Sequence, residues 1–155
     1  MRSPIPAIAC MMAFVCVGGC TPDDPPNLAV SLPPPYSQLP SAPAGTPIEA
    51  GTRMTLDARQ QEAVVNGVTR WLKNPGSAQF GTMAGALDGR GTIVVCGRVT
   101  GRNSAGAYVG MTPYIGVLMG GRASPDFVVV GIGGSTRERA EVASLCRESG
   151  VPDLG

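Results

Sequence analysis

Between Thr21 and Met54 the chain carries nine prolines, among them Pro25-Pro26 and Pro33-Pro34-Pro35, and almost no periodic apolar pattern. Proline removes a backbone donor and favours extended conformations, so this stretch supports neither a helix nor a central strand. It reads as a semi-rigid linker, spanning on the order of 100 Å fully extended and about 30 Å as a flexible coil. In a chain of 155 residues this leaves one folding unit after it. We assign residues 20–54 to the linker, 55–150 to a domain and 151–155 to a short tail.

What precedes the linker reads as an export signal. Met1-Arg2-Ser3-Pro4 supplies one positive charge, and Ile5 to Val17 is uncharged. That run is the length of a secretory apolar core and shorter than the ~20 residues a membrane-spanning helix needs. It ends in Val17-Gly18-Gly19-Cys20, which resembles a bacterial lipoprotein box. The resemblance implies removal of residues 1–19 and acylation of Cys20, and hence a membrane partner. The alternative is ordinary secretory cleavage with Cys20 incidental. Thr21, rather than an aspartate, follows Cys20. In a two-membrane cell this is compatible with sorting to the outer membrane, and the location expected is there, facing the periplasm.

Cysteine usage follows from that address. Cys10 and Cys16 leave with the signal and Cys20 carries lipid, so Cys96 and Cys146 remain. An even remainder in an oxidising compartment favours a disulfide, with two buried free thiols as the alternative. Two cysteines without histidine are too few for a metal site.

Composition narrows the chemistry. Histidine is absent, which excludes Ser-His and Cys-His nucleophile pairs. Lys+Arg is 12 against Asp+Glu 11, a net charge of +1, which argues against nucleic acid as a partner. Asp88 and Asp126 are candidate carboxylates without a pattern that pairs them, and Lys73 is the only lysine available to a Ser-Lys pair. Neither catalysis nor a cofactor is expected.

The domain reads as α+β, with two helices packed on one face of an antiparallel sheet of three or four strands. The first helix is predicted over Leu56 to Lys73, with Asp57 and Gln60 as its capping pair and Asn74-Pro75-Gly76 as its stop. Strands are predicted over Thr92 to Val99, Tyr108 to Met111, Tyr114 to Met119 and Asp126 to Val130. Ser135 and Glu138 have capping-box spacing for a second helix. That helix carries Ala140, Val142, Ala143, Leu145 and Cys146 inward and stops at Gly150.

Two sites stand out. Arg98, Arg102, Asn103, Tyr108 and Tyr114 group around the glycine-rich turn after the Cys96 strand, where arginine and tyrosine make good interface anchors. The turn Gly131 to Thr136, centred on Gly133, Gly134 and Ser135, lies where helix N-terminal amides can cradle an anion. Plain turn chemistry is the simpler reading of both.

Three segments carry a further resemblance: Asn74-Pro75-Gly76-Ser77-Ala78-Gln79-Phe80, Val95-Cys96-Gly97-Arg98-Val99 and Asn103-Ser104-Ala105-Gly106-Ala107-Tyr108-Val109-Gly110. Together they resemble a group of small proteobacterial proteins, many of them lipoproteins. The group's pattern runs acid-Pro-x-Ser-Ala-x-Phe, Val-Cys-Gly-x-Val-Asn and Asn-Ser-x-Gly-Gly-Tyr-x-Gly. Here Asn74 replaces the acid, Thr100 the first asparagine and Ala107 one glycine. The resemblance implies export and the domain limits, and no activity. The function expected is non-catalytic binding or assembly in the envelope with another envelope protein. The alternative is a small anion-binding or hydrolytic module at the Gly131–Thr136 turn.

Overall fold

A computed structural model describes residues 50–152. The signal segment, Cys20 and the proline-rich linker up to residue 49 lie outside the described residues. The elements run β1 (Thr52–Met54), α1 (Ala58–Thr69), a short 3-10 turn (Pro75–Ser77), β2 (Gln79–Leu87), β3 (Ile93–Thr100), β4 (Thr112–Met119), β5 (Asp126–Ile132) and α2 (Thr136–Glu148). The domain is α+β, with one antiparallel sheet in the order β1-β2-β3-β4-β5.

Both helices begin where side-chain chemistry satisfies the first free amides. The Asp57 carboxylate accepts from the Gln60 amide at 2.9 Å, and the Gln60 side chain accepts from the Asp57 amide at 2.9 Å. Ser135 and Glu138 form the same reciprocal pair at α2. Gly150, at φ 91°, ends α2, with the Val151 amide donating to the Cys146 carbonyl at 2.9 Å.

The sheet has five strands rather than three or four. Two of them come from segments whose composition does not announce a strand. Thr52–Met54, placed in the linker by its prolines upstream, pairs with β2 from Thr52↔Leu87 to Met54↔Gly85. β2 itself, Gln-Phe-Gly-Thr-Met-Ala-Gly-Ala-Leu, is poor in β-branched residues and extends because β3 pairs along it. Its small residues have a packing reason. Ala84 and Ala86 lie in the cluster beneath α2, and a Cβ on Gly85 would come within 2.9 Å of Leu56 Cδ2. The segment Tyr108 to Met111, by contrast, is not a strand. It belongs to a loop that closes on itself through an isolated Arg102↔Tyr108 bridge.

The helices do not share a face. On β3, Val95 and Val99 join Val64, Val68, Tyr114, Phe127 and Val129 in the cluster under α1. Cys96 points the other way and joins Ile115, Val142, Cys146 and Val151 in the cluster under α2. Consecutive residues of a strand face opposite sides, so α1 and α2 cover opposite faces of the sheet. The reason lies in β3, whose Val94-Val95-Cys96 run is apolar on both sides and needs cover on both. α1 packs closely on β5, where a Cβ on Gly67 would stand 2.6 Å from the Phe127 carbonyl oxygen. Ala140, expected inward, is exposed on α2, whereas Val151, expected in the tail, is fully buried.

The expected disulfide is present. Cys96 and Cys146 are bonded, with Cα atoms 6.0 Å apart at a sequence separation of 50. It ties α2 to the middle of the sheet on the face with the smaller cluster. Among the described residues no helix is long and apolar enough to cross a membrane.

Candidate functional site

Two segments far apart in sequence meet at one end of the domain. The first is Lys73–Ser77, leaving α1 and turning into β2. The second is the loop 101–111 between β3 and β4. Together they line an open groove of about 610 Å³.

The groove is built by polar bonds that point inward. Asn74 Nδ2 donates to the carbonyls of Arg102 and Asn103, each at 3.2 Å. Ser77 Oγ accepts from the Arg102 amide at 2.9 Å and donates to the Asn74 carbonyl at 2.8 Å. Asn103 Oδ1 accepts from the amides of Ala105 and Ala107, at 3.0 and 3.1 Å, which folds the turn around its own side chain. The Thr100 hydroxyl donates to the Val109 carbonyl, and Val109, buried, plugs the loop into the α1-side cluster. These bonds settle the loop's backbone and leave its longer side chains outside. Arg102 and Tyr108 are exposed, with the guanidinium carbon 5.4 Å from the centre of the Tyr108 ring.

Of the five residues grouped by the sequence, Arg102, Asn103 and Tyr108 come together here. Arg98 and Tyr114 do not. Arg98 is exposed on the opposite face of β3 from Tyr114, near Met111 and Gly81. Tyr114 is fully buried, edge-on to Phe80 at 6.2 Å and to Phe127 at 6.3 Å between ring centres. It pairs with Gly97 on β3, where a Cβ would lie 2.2 Å from the Tyr114 hydroxyl. The hydroxyl has no hydrogen-bond partner, and burial pushes its pKa above the usual tyrosine value. Tyr114 is a core residue, because its place in the β4 alternation turns it toward α1.

Lys73, Asn74 and Ser77 were not among the expected site residues. The signal for Asn74 and Ser77 was the Asn74–Phe80 motif, which marks the groove's second wall and reads in sequence as a helix stop and as part of the resemblance; Lys73 lies just before it.

The turn at Gly133, Gly134 and Ser135 is not an open anion cradle. The Gly133 amide donates to the Pro113 carbonyl at 2.9 Å and the Gly134 amide to the Ile132 carbonyl at 2.9 Å. The Ser135 amide donates to the Glu138 carboxylate at 2.8 Å. The helix thus brings its own anion to its N-terminus, which the capping-box spacing already implied.

The candidate carboxylates are used structurally. Asp126 pairs with Arg70 at 3.1 Å and caps its own strand through the Phe127 amide. Asp88 closes the β2–β3 turn by accepting from the Thr92 and Arg90 amides, and the Thr92 bond chiefly lowers its pKa. The described residues contain no group of three or more Cys, Asp or Glu placed to hold a metal ion.

Compared with family models, with curated proteins and with solved structures, the chain matches none.

Proposed function

We propose that this chain is a lipid-anchored protein of the bacterial envelope. In this reading Cys20 is acylated and the linker holds the domain off the outer membrane, on its periplasmic side. The domain does non-catalytic binding or assembly work with another envelope protein, through the groove between Lys73–Ser77 and the 101–111 loop. One observation carries the choice of surface: the bonds from Asn74, Ser77 and Asn103 order the loop in advance and leave Arg102 and Tyr108 exposed. A loop ordered before binding loses less entropy on contact, and arginine and tyrosine are favoured interface anchors.

The test is cross-linking in intact cells, comparing the anchored chain with Cys20→Ser and with Tyr108→Ala. The expected result is one reproducible partner, lost in both variants, and release of Cys20→Ser from the membrane fraction. Retention of Cys20→Ser in membranes would overturn the anchor. Undiminished capture by Tyr108→Ala would overturn the choice of groove.

A further inference from the structure

We propose that this groove binds carboxylates, and that its occupant is an acidic peptide segment of a partner protein. The inference rests on the groove being the recognition surface and adds the chemistry of what it recognises.

The charge in the groove is of one sign. Lys73 and Arg102 line it, and no aspartate or glutamate does. Among the described residues the ion pairs are Arg70–Asp126 and Arg137–Glu141, so neither groove cation is neutralised by a described carboxylate.

Arg102 is also held ready. Its guanidinium lies over the Tyr108 ring, and its backbone is fixed by Ser77 and Asn74. A cation–π contact of this kind uses none of the guanidinium N–H groups, so the fork that matches a carboxylate with two parallel bonds stays available. The same contact takes up a face of Tyr108 on which a sugar ring would otherwise pack. This favours a carboxylate side chain over a glycan. The walls also admit a main chain, since at Gly76 and Gly106 no atom lies within 4 Å of where a Cβ would stand. An extended peptide can therefore lay its backbone along the glycines while its carboxylates reach Arg102 and Lys73.

The probe is a fluorescein-labelled hexaglutamate peptide, read by anisotropy against the full chain in neutral detergent. Hexaglutamine and an oligogalacturonate of equal charge serve as comparisons. Saturable binding of hexaglutamate and not of hexaglutamine is expected, weakening as salt rises from about 50 to about 500 mM. Arg102→Gln is expected to weaken binding about fivefold and Lys73→Gln about threefold, as for partly exposed ion pairs. Arg102→Lys is not expected to restore it, because it lacks the fork. Unchanged denaturation midpoints would show that these exposed substitutions leave the fold intact.

Equal binding of the two peptides, or no effect of Arg102→Gln, would overturn the inference. Tighter, Arg102-dependent binding of the oligogalacturonate would overturn the peptide in favour of a glycan. The two readings fail separately. Tyr108-dependent partner capture in cells without hexaglutamate binding sinks the carboxylate inference and keeps the groove. Arg102-dependent hexaglutamate binding with no partner captured keeps the carboxylate site and sinks the assembly role.

Discussion

Replacing Tyr114 by Phe should make this domain more stable. The ring would keep its edge-on contacts with Phe80 and Phe127 and its place over Gly97, and only the hydroxyl would go. That hydroxyl is buried without a partner. A buried hydroxyl left unbonded costs about 1–3 kcal/mol, and the small void left on removing it takes back part of the gain. A net gain of about 1 kcal/mol follows. For a domain of roughly a hundred residues this raises Tm by about 4–8 °C.

A second readout separates this from generic repacking. Burial raises the folded pKa of Tyr114 above the unfolded value of 10.0, so the native state holds its proton where the unfolded chain releases it. The associated stability is complete below pH 10 and is lost as pH rises toward the folded value. At one pH unit above 10 the loss is about 1.4 kcal/mol. Phe cannot titrate, so the advantage of Tyr114→Phe should be about 1 kcal/mol at pH 7 and widen to about 2.5 kcal/mol at pH 11. Urea unfolding at the two pH values, with the disulfide intact, measures both. A variant less stable than the parent at pH 7 would show that the hydroxyl is bonded, and a gap that does not widen would show that it is reached by water; either would refute the reasoning.

Two further outcomes are expected. Reducing Cys96–Cys146 opens a loop of 50 residues, which the chain-entropy model values at about 4 kcal/mol. The urea midpoint should fall accordingly, and hydrogen exchange should speed first in α2, whose cluster is the smaller; protection in α2 equal to that in α1 would contradict this. Asn74→Ala removes the donor to the Arg102 and Asn103 carbonyls and should cost about 1 kcal/mol while raising exchange in the 101–111 loop. An unchanged loop would show that Asn74 does not order the groove.

The candidate site was half legible in the sequence. Arg102, Asn103 and Tyr108 lie within seven residues of one another, so their association is local and the turn chemistry of Asn103 announces it. Tyr114 belongs to the same stretch and the same residue class as Tyr108, yet the two end in opposite environments. Tyr108 sits in a loop that bonds to itself, whereas Tyr114 is fixed by register opposite Gly97. The groove's second wall needed Asn74 to cross 28 residues to the Arg102 carbonyl, a contact that no spacing in the chain encodes.

By itself the sequence determined what depends on neighbours three or four residues apart. Both helix starts follow from Asp57–Gln60 and Ser135–Glu138, the end of α2 from Gly150, and β3 from its β-branched run. The disulfide partners followed from counting cysteines. Tertiary structure alone decided that Gln79–Leu87 is a strand, because its alanines and glycines have little preference of their own and extend only when β3 pairs beside them. It also decided that α1 and α2 lie on opposite faces. A helix's apolar stripe says that it must be covered, not by which side of a sheet; that choice is made by the alternation of Val95 and Cys96 across β3, each of which finds its helix only when the chain is folded.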